Sequence, residues 1–277
     1  MKRLIIFVLL VGVAAVAGIV RSHSKSSGQQ RLPATASSEQ TGDTREEIRK
    51  TVELTPGARV EVSGINGAVK IETTEGTTAE IYIERTADSR EALARRKVVV
   101  DSSSSSLRIR GQKGDVGLMA RIFGSNPKEQ VTLRLPRQIS LTTRGVNGSV
   151  RVGEVDGPVT VHGINGKVDI GQASGSAEFN GINGNITVSL KEVGSGGVSL
   201  NGINGNIELR LSEGLSADLE AHGMNGKVVS EIPDVVVEKE RHGRYSAHVG
   251  SGGNSISAQG INGNIRLTRS TLVSSRF

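Results

Sequence analysis

A four-residue phrase, Gly, then Ile, Val or Met, then Asn-Gly, occurs seven times in this chain, starting at Gly64, Gly145, Gly163, Gly181, Gly202, Gly223 and Gly260. From the second copy on, the intervals are 18, 18, 21, 21 and 37 residues. Turn chemistry that returns at a nearly fixed interval marks a repeat architecture, in which no unit can bury its apolar face alone and neighbours must stack. Such a chain offers long patterned surfaces rather than one pocket.

Counting the first Gly as zero, position +1 is always Ile, Val or Met, as in Ile164, Val146 and Met224. Positions +5 and +7 are apolar in nearly every unit, as in Val168 and Ile170 or Ile207 and Leu209. A residue that is usually polar stands between them at +6. This alternation predicts a half-buried strand after each phrase. A second strand precedes it, with Val159 and Val161, or Val198 and Leu200, facing inward. Each unit of 18 to 21 residues is therefore two short strands and two turns.

Two all-β architectures satisfy this pattern. Asn-Gly between alternating strands is a strong hairpin signal, which would give an antiparallel β-meander. Alternatively, each unit is one coil of a β-solenoid, like a parallel β-helix, with equivalent residues stacked. In a hairpin the large apolar +1 residue would face water in all seven copies, which is hard to justify. At a solenoid corner it points into the core, so the sequence favours the solenoid.

The corners are then Asn66-Gly67, Asn147-Gly148, Asn165-Gly166, Asn183-Gly184, Asn204-Gly205, Asn225-Gly226 and Asn262-Gly263. Asn and Gly tolerate left-handed backbone, and a stacked Asn amide can bond its copies above and below. This structural role is favoured over a row of ligand-binding amides.

Two stretches break the period. A basic insertion at 85–135 opens with Asp88 to Arg95, which reads as a short capped helix. Strands follow at Val98–Val100, Leu107–Arg110 and Val131–Leu135. An excursion at 232–251 reads as a hairpin of Val235–Val237 and Tyr245–Val249. The domain is expected to span 45–277.

The chain begins Met1-Lys2-Arg3, followed by an apolar run from Leu4 to Val20 with Ala15-Val16-Ala17 as a small-x-small site. Residues 1–20 are a signal peptide or a retained membrane anchor, and either would place the rest outside the cytoplasm, in the periplasm, at the cell surface or secreted. Residues 21–44, rich in Ser, Gln and Thr, read as a disordered linker. There is no Cys, so no disulfide can staple the fold.

The formal charge is +6, unevenly spread. Residues 85–144 hold 13 Lys and Arg against 5 Asp and Glu, whereas residues 145–277 hold 11 against 13. Arg95, Arg96, Lys97, Arg108 and Arg110 form a candidate interaction patch for an anionic membrane surface, a glycan or a protein partner. Nucleic acid is not expected, because the segment lacks interleaved aromatics to stack bases.

Catalytic signals are sparse. His162 and His222 both occupy position −1, but three coils separate them in sequence order, too far for a shared metal ion. His242 and His248 lie in the excursion without further ligands. Asp169 and Glu208 share the +6 row two coils apart, roughly 10 Å, near the upper limit for an inverting glycosidase pair. With Arg151 one coil from Asp169, a surface ion pair is the better reading. No catalytic, metal or cofactor site is expected, and the chain is read as a non-enzyme.

The Gly-Ile-Asn-Gly units with flanking Val-x-Val strands resemble the bacterial "putative adhesin" β-strand-repeat family and its relative, the head GIN domain. The stretch Val131-Thr132-Leu133-Arg134-Leu135-Pro136, followed by Leu141 to Gly148, looks like that family's entry into its first coil. The likeness covers about residues 51–270. It implies a β-solenoid at the cell envelope, acting in adhesion or envelope organisation, in some cases with envelope-stress systems, and it supplies no catalytic residues. A membrane-anchored envelope-stress accessory is the alternative, and a polysaccharide-active enzyme ranks below both. Solenoid ends expose strand edges, so self-association through them is a further expectation.

Overall fold

The computed structural model describes residues 44–114, 126–240 and 243–270. The expected leader, nearly all of the linker, His242 and the terminal Phe277 lie outside the described residues.

The chain opens with β1 (Thr44–Glu53), β2 (Ala58–Ser63), β3 (Val69–Thr74), β4 (Thr78–Ala87) and the short helix α1 (Arg90–Ala94). Then come β5 (Arg96–Ser103), β6 (Ser106–Lys113) and β7 (Lys128–Pro136). The regular middle follows as β8 (Ile139–Val146), β9 (Val150–Val155), β10 (Val159–Ile164), β11 (Val168–Ala173), β12 (Ala177–Asn183), β13 (Ile186–Leu190), β14 (Val198–Asn204) and β15 (Ile207–Leu211). The last part holds β16 (Ala217–His222), β17 (Val228–Ser230), β18 (Val237–Lys239), β19 (Tyr245–Val249), β20 (Asn254–Gln259) and β21 (Ile265–Arg269).

These strands form two mixed sheets, ordered β1-β4-β7-β3-β9-β11-β13-β15-β21-β17 and β18-β19-β16-β20-β14-β12-β10-β8-β2-β6-β5. The two strands flanking an Asn-Gly belong to different sheets. β10 pairs in parallel with β8 and β12, while β11 pairs in parallel with β9 and β13. The alternative meander is therefore not formed. Its physical reason is visible at +1: Ile65, Val146, Ile164, Ile182, Ile203 and Ile261 are each 1 % exposed. Burying such a side chain stabilises by roughly 1.5–3 kcal/mol, which a hairpin would forfeit at each corner.

Register is strict. The +5 residues stack as Val150, Val168, Ile186, Ile207 and Ile265 in successive strands. Inward side chains of both sheets merge into one aliphatic core, with Phe179 the one fully buried aromatic among the described residues.

Chain order and spatial order part company at both ends. β20 and β21, the last unit, lie between the unit of β14 and β15 and the unit of β16 and β17. Likewise β2 and β3, the first unit, lie between β6–β7 and β8–β9. The segment set apart in sequence as an insertion thus supplies an outer rung, with β6 on β2 and β7 on β3. Its helix is capped by the Ser89 side chain, which accepts from Ala92 N. In the excursion, β18 starts two residues later than the periodicity predicts: Val235 is buried in the preceding turn and Val236 is 73 % exposed.

Candidate binding surface

The corner asparagines form one continuous row. Nδ2 of Asn147, Asn165, Asn183, Asn204 and Asn262 each donates to Oδ1 of the Asn on the preceding rung, at 3.0–3.2 Å. Asn225 closes the row by donating to Asn262 at 3.0 Å. One amide hydrogen and one lone pair of each interior Asn are thereby consumed within the row. The glycine that follows is required sterically: at Gly184, φ is +155° and a Cβ would sit 2.3 Å from the Gly166 carbonyl oxygen.

At the first copy there is no next Asn. The Pro127 carbonyl and Glu129, whose side chain is 0 % exposed, close the row there. Glu129 Oε2 accepts from Asn66 N at 2.9 Å and its Oε1 from Arg96 Nε at 3.1 Å, while Asn66 Nδ2 donates to Pro127 O at 2.8 Å. Nothing in the sequence pairs Glu129 with Asn66, because only the exchanged rung order makes them neighbours.

A second amide row, missed from sequence, lies at +4. Asn185 Oδ1 accepts from Asn206 N at 2.9 Å, Asn206 Oδ1 from Asn264 N at 3.0 Å, and Asn264 Oδ1 from Lys227 N at 3.0 Å. The signal was present in the repeated Asn-Gly-Asn-Ile, whose second Asn always follows the corner. These residues and Lys167 line a shallow groove of about 620 Å³ on the outer face of the first sheet. Thr187 sits in it only 8 % exposed, and Val229, at the far rung, is 47 % exposed.

Asp169 and Glu208 flank Thr187 in register. Asp169 lies 3.5 Å from Lys167 Nζ and 3.9 Å from Arg151 Nε, and Glu208 lies 2.9 Å from Arg210 Nε. Glu208 in turn holds the Arg210 guanidinium above its usual range, against the opposing pull of desolvation. Both carboxylates therefore sit in ion pairs on the open outer face of the sheet, the role expected for them from the sequence.

The basic residues of the candidate patch are largely engaged. Arg96 serves Glu129 and the Gly64 carbonyl, Arg108 lies 3.1 Å from Glu61, and Arg110 lies 2.7 Å from Asp101. Lys97 makes no ion pair among the described residues. His162 and His222 stand four rungs apart rather than three, because the last unit inserts between them. Among the described residues, no three His, Asp or Glu side chains converge on a point where an ion could bind. No described helix is long and apolar enough to cross a membrane.

No family model and no curated protein matches the chain. Among solved structures it is similar to a putative cell adhesion protein from Clostridium sporogenes, at 14% identity over 82% of this chain and 100% of that one, with TM-score 0.39. It is also similar to a putative adhesin from Bacteroides fragilis, at 12% identity over 80% and 97% of the two chains, with TM-score 0.37. A putative adhesin from Parabacteroides merdae matches at 14% identity over 81% and 97%, with TM-score 0.28. Those descriptions coincide with the family that the repeat phrase resembles.

Proposed function

We propose that the chain is an exported two-sheet β-solenoid that acts by surface contact, in adhesion or in organising the cell envelope, and that it catalyses nothing. One observation carries this reading: the interior is filled by stacked aliphatic side chains, and polar chemistry is displayed outward in rows that keep register from rung to rung. A repeated outer row suits many weak simultaneous contacts, which gain by multivalency. The anchored envelope-stress accessory stands second, since the basic side chains it relies on are mostly held by carboxylates within the chain.

The test compares cells with and without the chain for attachment to a polysaccharide-coated surface, and assays the purified chain for release of reducing ends. Attachment that depends on the chain, without release of sugar, is expected. Turnover lost in Asp169→Asn or Glu208→Gln would replace this reading with an enzyme.

A further inference from the structure

The two amide rows differ in what they leave free. In the corner row each Nδ2 is spent on the neighbouring Oδ1. In the +4 row the oxygen is spent instead, on a backbone N–H of the next rung. A backbone N–H can only donate, so the carboxamide orientation is fixed with Oδ1 toward the backbone. Nδ2 of Asn185 and of Asn206 donates to no other described residue. Asn264 Nδ2 makes one long contact, 3.4 Å, to Asn206 Oδ1.

We infer that the groove over Asn185, Asn206 and Asn264 is a binding site for an extended acidic glycan lying across the strands. This rests on the adhesion reading and names the ligand class for it. Parallel rungs put the amides roughly 4.8 Å apart. Lys167 and Lys227 bracket them, so five consecutive side chains offer donors over roughly 19 Å. Lys227 has no carboxylate partner among the described residues, Lys167 keeps its ammonium half exposed beside Asp169 at 3.5 Å, and the two acids lining the groove are neutralised, Glu208 by Arg210 and Glu231 by Arg266 at 2.6 Å. Outward amide donors, with the unpaired Lys227 at one end and the exposed Lys167 at the other, call for a ligand rich in acceptors and negative charge.

The same groove argues against other occupants. It holds no aromatic ring, so a neutral sugar would lack a stacking platform and a nucleic acid would lack base contacts. A sheet face offers side chains rather than a free backbone edge, so strand addition by a peptide is not available there. Uronate or sulfate groups on a sugar chain supply both the charge and the acceptors that the row lacks.

The experiment measures binding of the full chain to an oligogalacturonate, to a neutral oligosaccharide of equal length and to anionic vesicles. The key variants are Asn185→Asp and Asn206→Asp. Each keeps the oxygen that accepts the backbone N–H and replaces only the outward NH2, so melting should not change. Each should weaken oligogalacturonate binding about tenfold or more, as expected for losing a charge-assisted hydrogen bond and gaining a repulsion. Lys227→Gln should weaken it too, and Lys97→Gln, outside the groove, should not. The neutral sugar should bind more weakly than the uronate, and vesicles should not compete.

Absence of uronate binding, unchanged affinity in both Asn→Asp variants, equal loss in Lys97→Gln, or displacement by vesicles would each overturn the site. Chain-dependent attachment that survives both Asn→Asp variants would sink the groove and spare the adhesion reading. Attachment that does not need the chain at all would sink that reading itself.

Discussion

The two ends of the stack solve one problem by different means. At each end the terminal repeat unit is clasped between two others: the chain lays β4 to β7 outside β2 and β3 before crossing to β8, and at the far end β16 to β19 leave a rung that β20 and β21 then fill. At the N-terminal end the outer layer is long and charged. β1 spans ten residues, pairs along its whole length with β4, and carries Arg45, Glu46, Glu47, Arg49 and Lys50. Arg85, 4 % exposed, holds the layer together from inside by donating to the carbonyls of Leu93 and Arg96 and to Glu46. Charge along an edge strand discourages pairing with another chain. At the C-terminal end the edge strands β17 and β18 have three residues each, and the two exposed large apolar side chains among the described residues, Val229 and Val236, lie beside or within them. One end is sealed by ions and the other by shortness, and the second leaves apolar surface in water.

The sharpest way to break this contrast is Glu129→Ala. It leaves Arg96 and the Asn66 N–H without their buried acceptor, and losing one partner of a buried pair costs about 3–5 kcal/mol. A large fall in the denaturant midpoint is expected, and a shift under 1 kcal/mol would show that the N-terminal seal does not depend on the ion pair. Asn66→Ala comes next. It removes two partly shielded hydrogen bonds, for about 1–3 kcal/mol. At the opposite end Tyr245→Phe removes one bond, the hydroxyl donating to Gly226 O at 3.0 Å, for about 1 kcal/mol. Asn225→Ala removes a single exposed bond at the last rung, for about 0.5 kcal/mol. Melting curves of the three should fall in that order, and a larger effect at Asn225 than at Asn66 would invert the comparison.

These contrasts also explain what could be read from the sequence. The period, the inward +1 residue and the Asn-Gly corners follow from local chemistry, since six of the seven copies bury the +1 side chain alike; Met224, at the outer rung, is only partly buried. The choice of parallel stacking over hairpins followed from a single count of where seven apolar side chains would go. The +4 position is Asn in only three of the seven copies, and Ala68, Ser149, Lys167 and Lys227 in the others masked the row. The exchanged rung order left no local trace. Nothing in Leu200 or Ile203 says that Ala258 and Ile261, rather than Ala221 and Met224, will lie beside them. Glu129 as the acceptor of the Asn66 N–H, and the neutralisation of Arg96, follow only from that exchange. It also makes many contacts distant in sequence, which slows folding.

The smallest expected effect lies in the acid response of the two caps. Asp218 on β16 is held below its ordinary range first by the backbone N–H of Gly253 at 3.0 Å, then by the His248 imidazole, whose Nδ1 lies 2.5 Å away. At the other end Glu53 on β1 is held low by the hydroxyls of Thr78 and Thr77, each at 2.8 Å. In both cases the folded carboxyl is the stronger acid. The stability it contributes is therefore present above the unfolded pKa and is lost as pH falls through the lower folded value. Both groups face water, so the effect is local rather than global. Amide exchange at Gly253, and at the turn between β3 and β4, should quicken as pH is lowered below about 4, after correction for intrinsic rates. Asp218→Asn should flatten the first response and leave the second. A response at Gly253 that survives Asp218→Asn would mean that another group closes the C-terminal cap.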